Sequence, residues 1–466
     1  MTQPPLILWF RRDLRLDDHP MLSAAAATGR PLIPVFIADA SVTNLGAAAR
    51  WRMGEAVASF AQRLQDKGSR LILRRGPALP LLMDLLRESG AAGVWWTRLY
   101  DPTTRDRDAL IKETLKSQEF EARSFHGHTL AEPWQVQTAT GTKFKVFTPF
   151  WNALQTRGVP APLPAPERLI APSFWSGSED IRQWHLGAAM NRGGPMVARF
   201  AQIGEDRARA RLDRFVSQTV ENYDANRDSP AIDATSGLSE NLTYGEIGPR
   251  RIWHSATETP GGITFRRQLA WRDFAHHLMF HTPHMLTDNW RPQWDGFPWR
   301  GADDATERWR RGMTGEPLVD AGMRQLWVTG TMHNRVRMIV ASYLTKHLMT
   351  HWKIGMDWFA DCLIDWDPAA NAMGWQWVAG TGPDAAPFFR IFNPATQADK
   401  FDKSGNYRRK FIAELAPDPG PEARAFFDTA PRSWQLDPGA TYPRPLVDLA
   451  AGRERALAAY AAHRAR

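Results

Sequence analysis

The run LILWF, Leu6–Phe10, decides the fold class, because LIPVFIA at 32–38 repeats its character. Both are uncharged, and both have the length of a buried strand rather than of a buried helix. RLILRR (70–75), GVWWTRLY (93–100) and EARSFHG (121–127) continue the series. Helix-period segments separate them; the clearest is ARWRMGEAVASFAQRLQDKG (49–68), which closes on a C-terminal glycine. Strand–helix–strand alternation predicts a parallel α/β sheet, a Rossmann-like domain over residues 1–130. The glycine fingerprint G-x-G-x-x-G does not follow the first strand, which excludes reading this sheet as a nicotinamide site.

Beyond the sheet the pattern changes. GVPAPLPAPERLIAP (158–172) is proline-rich and reads as extended chain, so residues 131–195 are expected to form a connector. From 196 to 466 strands are scarce. MVARFAQIGEDRARARLDRFVSQTVENYDANR (196–227) and TMHNRVRMIVASYLTKHLMTHW (331–352) carry apolar residues at helical spacing, the second with Thr331 as its expected N-cap. The layout is therefore an α/β domain, a long connector and an all-α domain.

Composition narrows the function classes. With 43% hydrophobic residues among 466, the chain can bury real cores and is not a disordered polymer. The net charge of +8 suits a polyanionic partner such as nucleic acid. One cysteine, Cys362, rules out an intrachain disulfide framework or a four-cysteine cluster and fits a reducing, cytoplasmic setting. The N-terminus has charges directly after a short apolar run, unlike a signal peptide, and no stretch approaches a membrane span. Tryptophan is over-represented, 21 against 7 tyrosines, so most indoles are core filler and position must single out any that stack on bases or carry electrons.

Several clusters bear chemistry without deciding it. HNRVRM (333–338) fits an exposed helix or a pocket-lining one whose arginines grip phosphates. The Ser, Thr and Gly residues within YDANRDSPAIDATSGLSENLTYGEI (223–247) fit a phosphate-holding turn or a plain capped one. His277, His281 and His284 have metal-compatible spacing, but no carboxylate or cysteine completes a set, so no metal is expected. No nucleophile triad and no Walker loop are present. In NAMGWQWVAGTGPDAAPFFRIFNP (371–394), Trp375 and Trp377 stand beside the lone amide Asn371, with small residues and then Arg390 following.

Taken together these pieces resemble the photolyase/cryptochrome family over nearly the whole chain. The likeness runs through WFRRDLRLDDHPML (9–22), VFTPFWNAL (146–154), TSGLS (235–239), QLAWRDF (268–274), DGFPWR (295–300), MHNRVRM (332–338), WDPAANAMGWQWVAGTGPDAAPFFRIFNP (366–394) and PLVDLAAGRERALAAY (445–460). In motifs it is closest to class I-type cyclobutane pyrimidine dimer photolyases. The resemblance implies a helical domain holding folded FAD. Tyr223 and Thr235, Ser236, Gly237, Leu238 and Ser239 would hold its phosphates; Phe265, Arg272, Asn334, Asp365, Trp366 and Asp367 would surround it; Asn371 would face flavin N5. A neutral amide there adds no negative charge beside an anionic reduced flavin. Trp375, Trp352 and Trp299 match the family's electron relay to the surface. Trp271, Trp377 and Met338 match residues that touch a flipped-out pyrimidine dimer, and Arg227, Arg335, Arg337 and Arg390 match basic positions along DNA.

The implied function is light-driven repair of UV-damaged DNA by a monomeric enzyme. One position departs from it: the family's dimer-splitting enzymes usually carry Glu where this chain has Gln268. Glutamine keeps donor and acceptor but cannot be an acid. Gln at this position resembles (6-4) photolyases, yet these carry two histidines where Asn334 and Met338 stand here, so the acid for that chemistry is missing. A blue-light photoreceptor is the second reading. A light-harvesting second chromophore is implied as folate, a deazaflavin or another flavin, or an empty site; Thr103–Thr104 in place of the Asn–Glu pair of folate binders counts against folate.

Overall fold

The computed structural model describes residues 3–465. Its single sheet contains β1 (Leu6–Phe10), β2 (Leu32–Ala38), β3 (Ile72–Arg75), β4 (Gly93–Thr97) and β5 (Glu121–Phe125), all parallel, in the order β3-β2-β1-β4-β5. Central β1 is paired on both sides, with Leu6 opposite Leu32 and Gly93, and every residue of β1 and β2 is buried. That double-sided burial is why these strands read as unbroken apolar runs rather than alternating ones. Gly93 is required where β4 meets β5, since a Cβ there would lie 2.2 Å from the Glu121 carbonyl oxygen.

The connecting helices Ala47–Asp66, Ala78–Ser89 and Pro102–Ser117 follow the alternation expected from sequence. Asp101 caps the last of them, accepting the Thr104 N–H at 3.0 Å, with Pro102 in the first turn where it sacrifices no helical bond. Three strands are shorter than their apolar runs: β3 starts at Ile72, β4 stops at Thr97 and β5 at Phe125. For β5 the stop comes two residues before Gly127, whose φ of +150° lies outside strand geometry.

After β5 the described residues contain no further ladder strand, only an isolated bridge between Arg300 and Thr350. The proline-rich segment at 158–172 has no regular structure, as its composition predicts. Helices dominate from there on. The chain separates into two compact units, one of residues 1–189, 202–221 and 236–283, the other of 190–201, 222–235 and 284–466. The first therefore takes in the sheet together with the long helix Pro260–His281. The core of the sheet includes Ile7, Trp9, Val35, Ile72, Leu82 and Trp96. The second unit packs around Trp309, Leu326, Val336, Ile339, Trp352, Phe359 and Trp375.

One helix start differs from its sequence-based expectation. The helix expected to begin after Thr331 runs Asn334–Ser342, and His333 is its cap, with Nδ1 accepting the Arg335 N–H at 3.2 Å. The Thr331 N–H is already given to the Thr329 hydroxyl, in a turn that follows Gly330 at φ +68°. Beyond Ser342 the chain widens into a π-helical turn, Tyr343–His347. Single π turns tend to occur at functional positions.

Candidate functional site

Two helices of the second unit, Asn334–Ser342 and Pro368–Ala379, face a cleft enclosing about 630 Å³ of empty space, part of it open to solvent. Asn334, Asp365, Trp366, Asp367 and Asn371 all line it, so five residues expected around the flavin meet at one cavity. Met338, Arg337 and Trp375 line it too. The Pro368–Ala379 helix starts here because Asp367 caps it, accepting the Ala370 N–H at 2.9 Å, and because Pro368 cannot continue a helix backward. It ends at Gly380, φ +87°. This short, well-capped helix fixes Asn371, Trp375 and Trp377 relative to one another.

Asn371 is half-buried, and its Nδ2 donates to the Met356 carbonyl oxygen at 3.0 Å. That bond sets the amide's orientation and leaves Oδ1 without a protein donor among the described residues. Asp365, buried to 6% exposure, accepts with both oxygens from Arg337 Nη2, at 2.8 and 3.0 Å, while Arg337 Nε donates to the Met332 carbonyl. The pair cancels a charge inside the cleft. His333, the cap of the Asn334–Ser342 helix, is a neutral ring, since burial pushes its pKa down to about 4.

Of the three relay tryptophans, Trp375 and Trp352 are buried, at 3% and 0% exposure, and Trp299 is half-exposed. Trp375 lies edge-on to Phe359 (4.9 Å between ring centres) and Trp309 (6.1 Å). Glycine at 355 makes room for it: a Cβ there would sit 2.1 Å from the indole. His351 lies between the other two, 5.6 Å from Trp352 and 6.0 Å from Trp299. The Arg300–Thr350 bridge, with the His351 N–H donating to the Arg300 carbonyl at 3.0 Å, holds the two segments side by side. All three tryptophans belong to one apolar cluster.

The expected DNA-facing residues have varied surroundings. Arg390 is exposed and lies over the Trp377 ring at 5.5 Å, a cation on an aromatic plate. Arg227 keeps a long contact of 3.8 Å to Asp228. Arg335 is bonded to Asp228 at 2.6 Å, and Arg337 is the cleft residue already described. Tyr223 is buried beneath Arg227. Thr235 closes the segment 222–235 of the same unit.

The remaining candidates belong to the first unit. In the 236–239 turn, Ser236 Oγ accepts the Leu238 N–H at 3.3 Å, Gly237 adopts φ +62°, and Arg211 donates to the Gly237 carbonyl at 2.6 Å. A helix begins at Ser239. Helix Pro260–His281 carries Phe265, Gln268, Trp271 and Arg272. Trp271 stacks on Phe147 at 3.7 Å with an angle of 9° between the planes, and Phe265 packs on Phe215 at 4.5 Å. Arg272 donates to the His128 carbonyl at 2.7 Å. Its neighbour Asp273 is buried, and desolvation lifts its pKa to about 6 although it accepts the Leu130 and Ala131 N–H groups. Gln268 is half-buried with no hydrogen bond to its side chain among the described residues. Both ring nitrogens of His277 are engaged, Nδ1 with the Pro133 carbonyl and Nε2 accepting the Phe144 N–H, and His281 reaches the same carbonyl.

Two site-supporting residues escape sequence reading. Gln376, fully buried next to Trp375, donates to the Met285 and Asp288 carbonyls at 2.7 and 3.0 Å and accepts the Trp290 N–H at 2.7 Å. It thereby pins the segment that holds Asn289, the partner of the Trp352 indole at 3.0 Å. These partners are far apart in the chain, so no local pattern signals them.

Comparison with known proteins places the chain in a family. A family profile described as DNA photolyase matches residues 6–167, and one described as the FAD binding domain of DNA photolyase matches 265–462. A deoxyribodipyrimidine photo-lyase of Agrobacterium fabrum is 44% identical, with 98% of each chain covered. The crystal structure of a bacterial class III photolyase from Agrobacterium tumefaciens superposes with a TM-score of 0.92 at 43% identity, covering 100% of this chain and 99% of that one. An archaeal photolyase from Sulfolobus tokodaii, solved with two FAD molecules, gives 0.81 at 27% identity, covering 98% and 100%. The class I-type likeness expected from the motifs is not supported, since the structure matching at 0.92 is a class III enzyme.

Proposed function

Because the chain belongs to the photolyase/cryptochrome family, we propose that it is an FAD-dependent deoxyribodipyrimidine photolyase, splitting cyclobutane pyrimidine dimers in DNA under blue light. The observation that carries this reading is the cleft where Asn334, Asp365, Trp366, Asp367, Asn371 and Trp375 converge. Its aromatic and apolar walls and few fixed polar groups suit an isoalloxazine ring.

The bound FAD would absorb light and supply one electron to the lesion, which returns it after the ring opens. The chain's own residues do the rest. Asn371 offers a carbonyl acceptor to the flavin edge without adding charge, and Arg337 neutralises Asp365 so that an anionic reduced flavin is tolerated. Tyr223, Thr235, Ser236, Gly237, Leu238 and Ser239 hold the phosphates, and Phe265 and Arg272 complete the FAD site. Trp271, Trp377 and Met338 receive the extruded dimer, whose weakened pairing lowers the cost of flipping it. Gln268 hydrogen-bonds the dimer. Arg227, Arg335, Arg337 and Arg390 lie along the DNA backbone, and Trp299, Trp352 and Trp375 pass electrons inward to reduce the flavin. In domain terms, residues 1–130 form the antenna-type domain, 131–195 the connector and 196–466 the FAD- and DNA-binding domain, in a cytoplasmic monomer. No helix among the described residues is long and apolar enough to cross a membrane.

The test is a blue-light repair assay on purified, photoreduced protein. The substrate is an oligonucleotide with one thymine cyclobutane dimer, and a (6-4) oligonucleotide and a dark control run alongside. Light-dependent recovery of thymines from the first substrate alone is expected. Bound FAD that photoreduces while both lesions persist would overturn the repair reading and favour a photoreceptor.

A further inference from the structure

The three relay indoles differ in one respect that their burial does not explain. Trp375 and Trp299 keep their indole N–H groups buried without a protein acceptor. Trp352, fully buried, donates its N–H to Asn289 Oδ1 at 3.0 Å. Asn289, 8% exposed, donates in turn from Nδ2 to the exposed carboxylate of Asp295 at 2.8 Å. An N–H donor is thus linked through an amide to an anion.

We propose that Asn289 and Asp295 tune the relay, making Trp352 easier to oxidise than Trp375 and so driving the first outward step of the positive charge. The proposal rests on the relay reading above. When photoexcited oxidised flavin takes one electron from Trp375, the indole left behind is a radical cation. An electron then passes from Trp352 to Trp375, restoring the first ring and leaving the charge on the second; a thiol reductant in solution finally refills the outermost one. A hydrogen bond from an oxidised indole is charge-assisted, roughly twice as strong as a neutral one, and the Asp295 carboxylate polarises the amide that accepts it. Both inner rings are shielded from water, so solvent does not separate them and the hydrogen bond does.

The surroundings of Trp352 do not cancel this effect. His351, in ring contact, has its pKa lowered by burial and is neutral near pH 7. Lys353 lies 5.8 Å from the ring centre, but its side chain is 41% exposed and faces Asp288 at 3.7 Å, so its opposing charge is screened. The geometry is also built rather than incidental. Gln376, on the helix that carries Trp375, pins the Met285–Trp290 segment by three hydrogen bonds, and so places Asn289 over the indole. The plainer role, Asn289 as a structural tie alone, would leave the relative ease of oxidation unaffected.

The experiment uses the FAD-loaded full chain with Asn289→Leu, Asp295→Asn and Trp352→Phe. Transient absorption follows the positive charge on the indoles after a blue flash, and the yield of reduced flavin per absorbed photon is measured with a thiol present. Asn289→Leu is expected to cut that yield at least about threefold through faster charge return from Trp375. Asp295→Asn, at an exposed position, keeps the hydrogen bond and gives a smaller loss in the same direction. Dimer repair after chemical reduction stays at the parental level in both. A second readout needs no flavin chemistry: with tryptophan labelled by 15N, the Trp352 indole proton, assigned by its loss in Trp352→Phe, is shifted downfield and moves upfield in Asn289→Leu. If Trp352→Phe blocks photoreduction while Asn289→Leu and Asp295→Asn both match the parent, the tuning proposal fails and the relay stands. If Trp352→Phe itself photoreduces normally, the relay reading fails and takes the proposal with it.

Discussion

Arg337 Nη2 reaches both carboxylate oxygens of Asp365, at 2.8 and 3.0 Å, at the wall of the cleft. The family likeness suggested a DNA contact for Arg337, but its Nη2 is committed to Asp365 and its Nε to the Met332 carbonyl, so only Nη1 is left for a phosphate, and the residue lines the cleft. Arg337→Ala is therefore expected to act on the cofactor. It removes a cation from beside a buried carboxylate, at a cost of about 2 kcal/mol for the lost charged hydrogen bonds. The checks are FAD content after purification, which should fall, and the salt dependence of DNA binding, which should keep the parental slope. Arg390→Ala should do the reverse, lowering the slope by about one while leaving FAD in place. A reduced slope in Arg337→Ala with full FAD content would assign that arginine to DNA.

Gly355 and Trp375 give a steric prediction. A methyl group at 355 would lie 2.1 Å from the Trp375 ring and 2.7 Å from a Leu344 methyl, both buried, so neither can step aside cheaply. Gly355→Ala improves helix propensity, yet the clash should win, with a net destabilisation of about 1–3 kcal/mol. Urea denaturation measures the loss. Because Trp375 lines the cleft, the same substitution should also reduce photoreduction more than it reduces repair by chemically reduced protein. Unchanged stability would mean that the indole relaxes freely.

How much of this was legible beforehand follows from which interactions are local. The sheet was, because double burial makes each strand an apolar run. Asp367, Asn371, Trp375 and Trp377 come as one short block, since a single capped helix presents them. The start of the Asn334–Ser342 helix was misread because the Thr331 hydroxyl pairs with that of Thr329, two residues upstream, at 2.9 Å, and capping falls to a histidine, a rarer residue for that place. Asn289, Gln376 and the Arg337–Asp365 pair were hidden, since each acts through partners brought together only by the fold.

Gln268 allows a test of the lesion contact. It is half-buried and takes no hydrogen bond to its side chain from the described protein, which leaves both ends of the amide for a ligand. Gln268→Leu should weaken binding of a dimer-containing oligonucleotide by about 1.5 kcal/mol, roughly tenfold, and leave undamaged DNA unaffected. Gln268→Glu should make repair pH-dependent where the parent is flat. A carboxylic acid donates only when protonated, so the variant gains on lowering the pH and loses on raising it. Repair that does not change with pH in Gln268→Glu would remove this residue from the dimer contact.

Lys346 yields the last prediction, one of pH-dependent stability. It sits in the π-helical turn with no exposure, donating to the Ala379 carbonyl at 2.6 Å, with Nζ 3.4 Å from the centre of the Phe388 ring. No carboxylate pairs with it among the described residues, and burial pushes its amine well below the usual lysine range. A neutral amine can still make both contacts, as an N–H donor to the carbonyl and to the ring face. In the unfolded chain the same amine titrates near its ordinary value of about 10.4. Between the folded and unfolded values the unfolded state therefore binds the extra proton, so raising the pH through that window stabilises the native state, by up to about 1.4 kcal/mol per pH unit. Lys346→Met removes this contribution. It also leaves the Ala379 carbonyl without its donor, a penalty that does not vary with pH. Urea denaturation of both proteins from pH 6 to 10 separates the two effects: the variant should be most stable relative to the parent at the acid end, and its advantage should shrink steadily toward pH 10. Parallel profiles would show that Lys346 keeps an ordinary proton affinity in the folded chain.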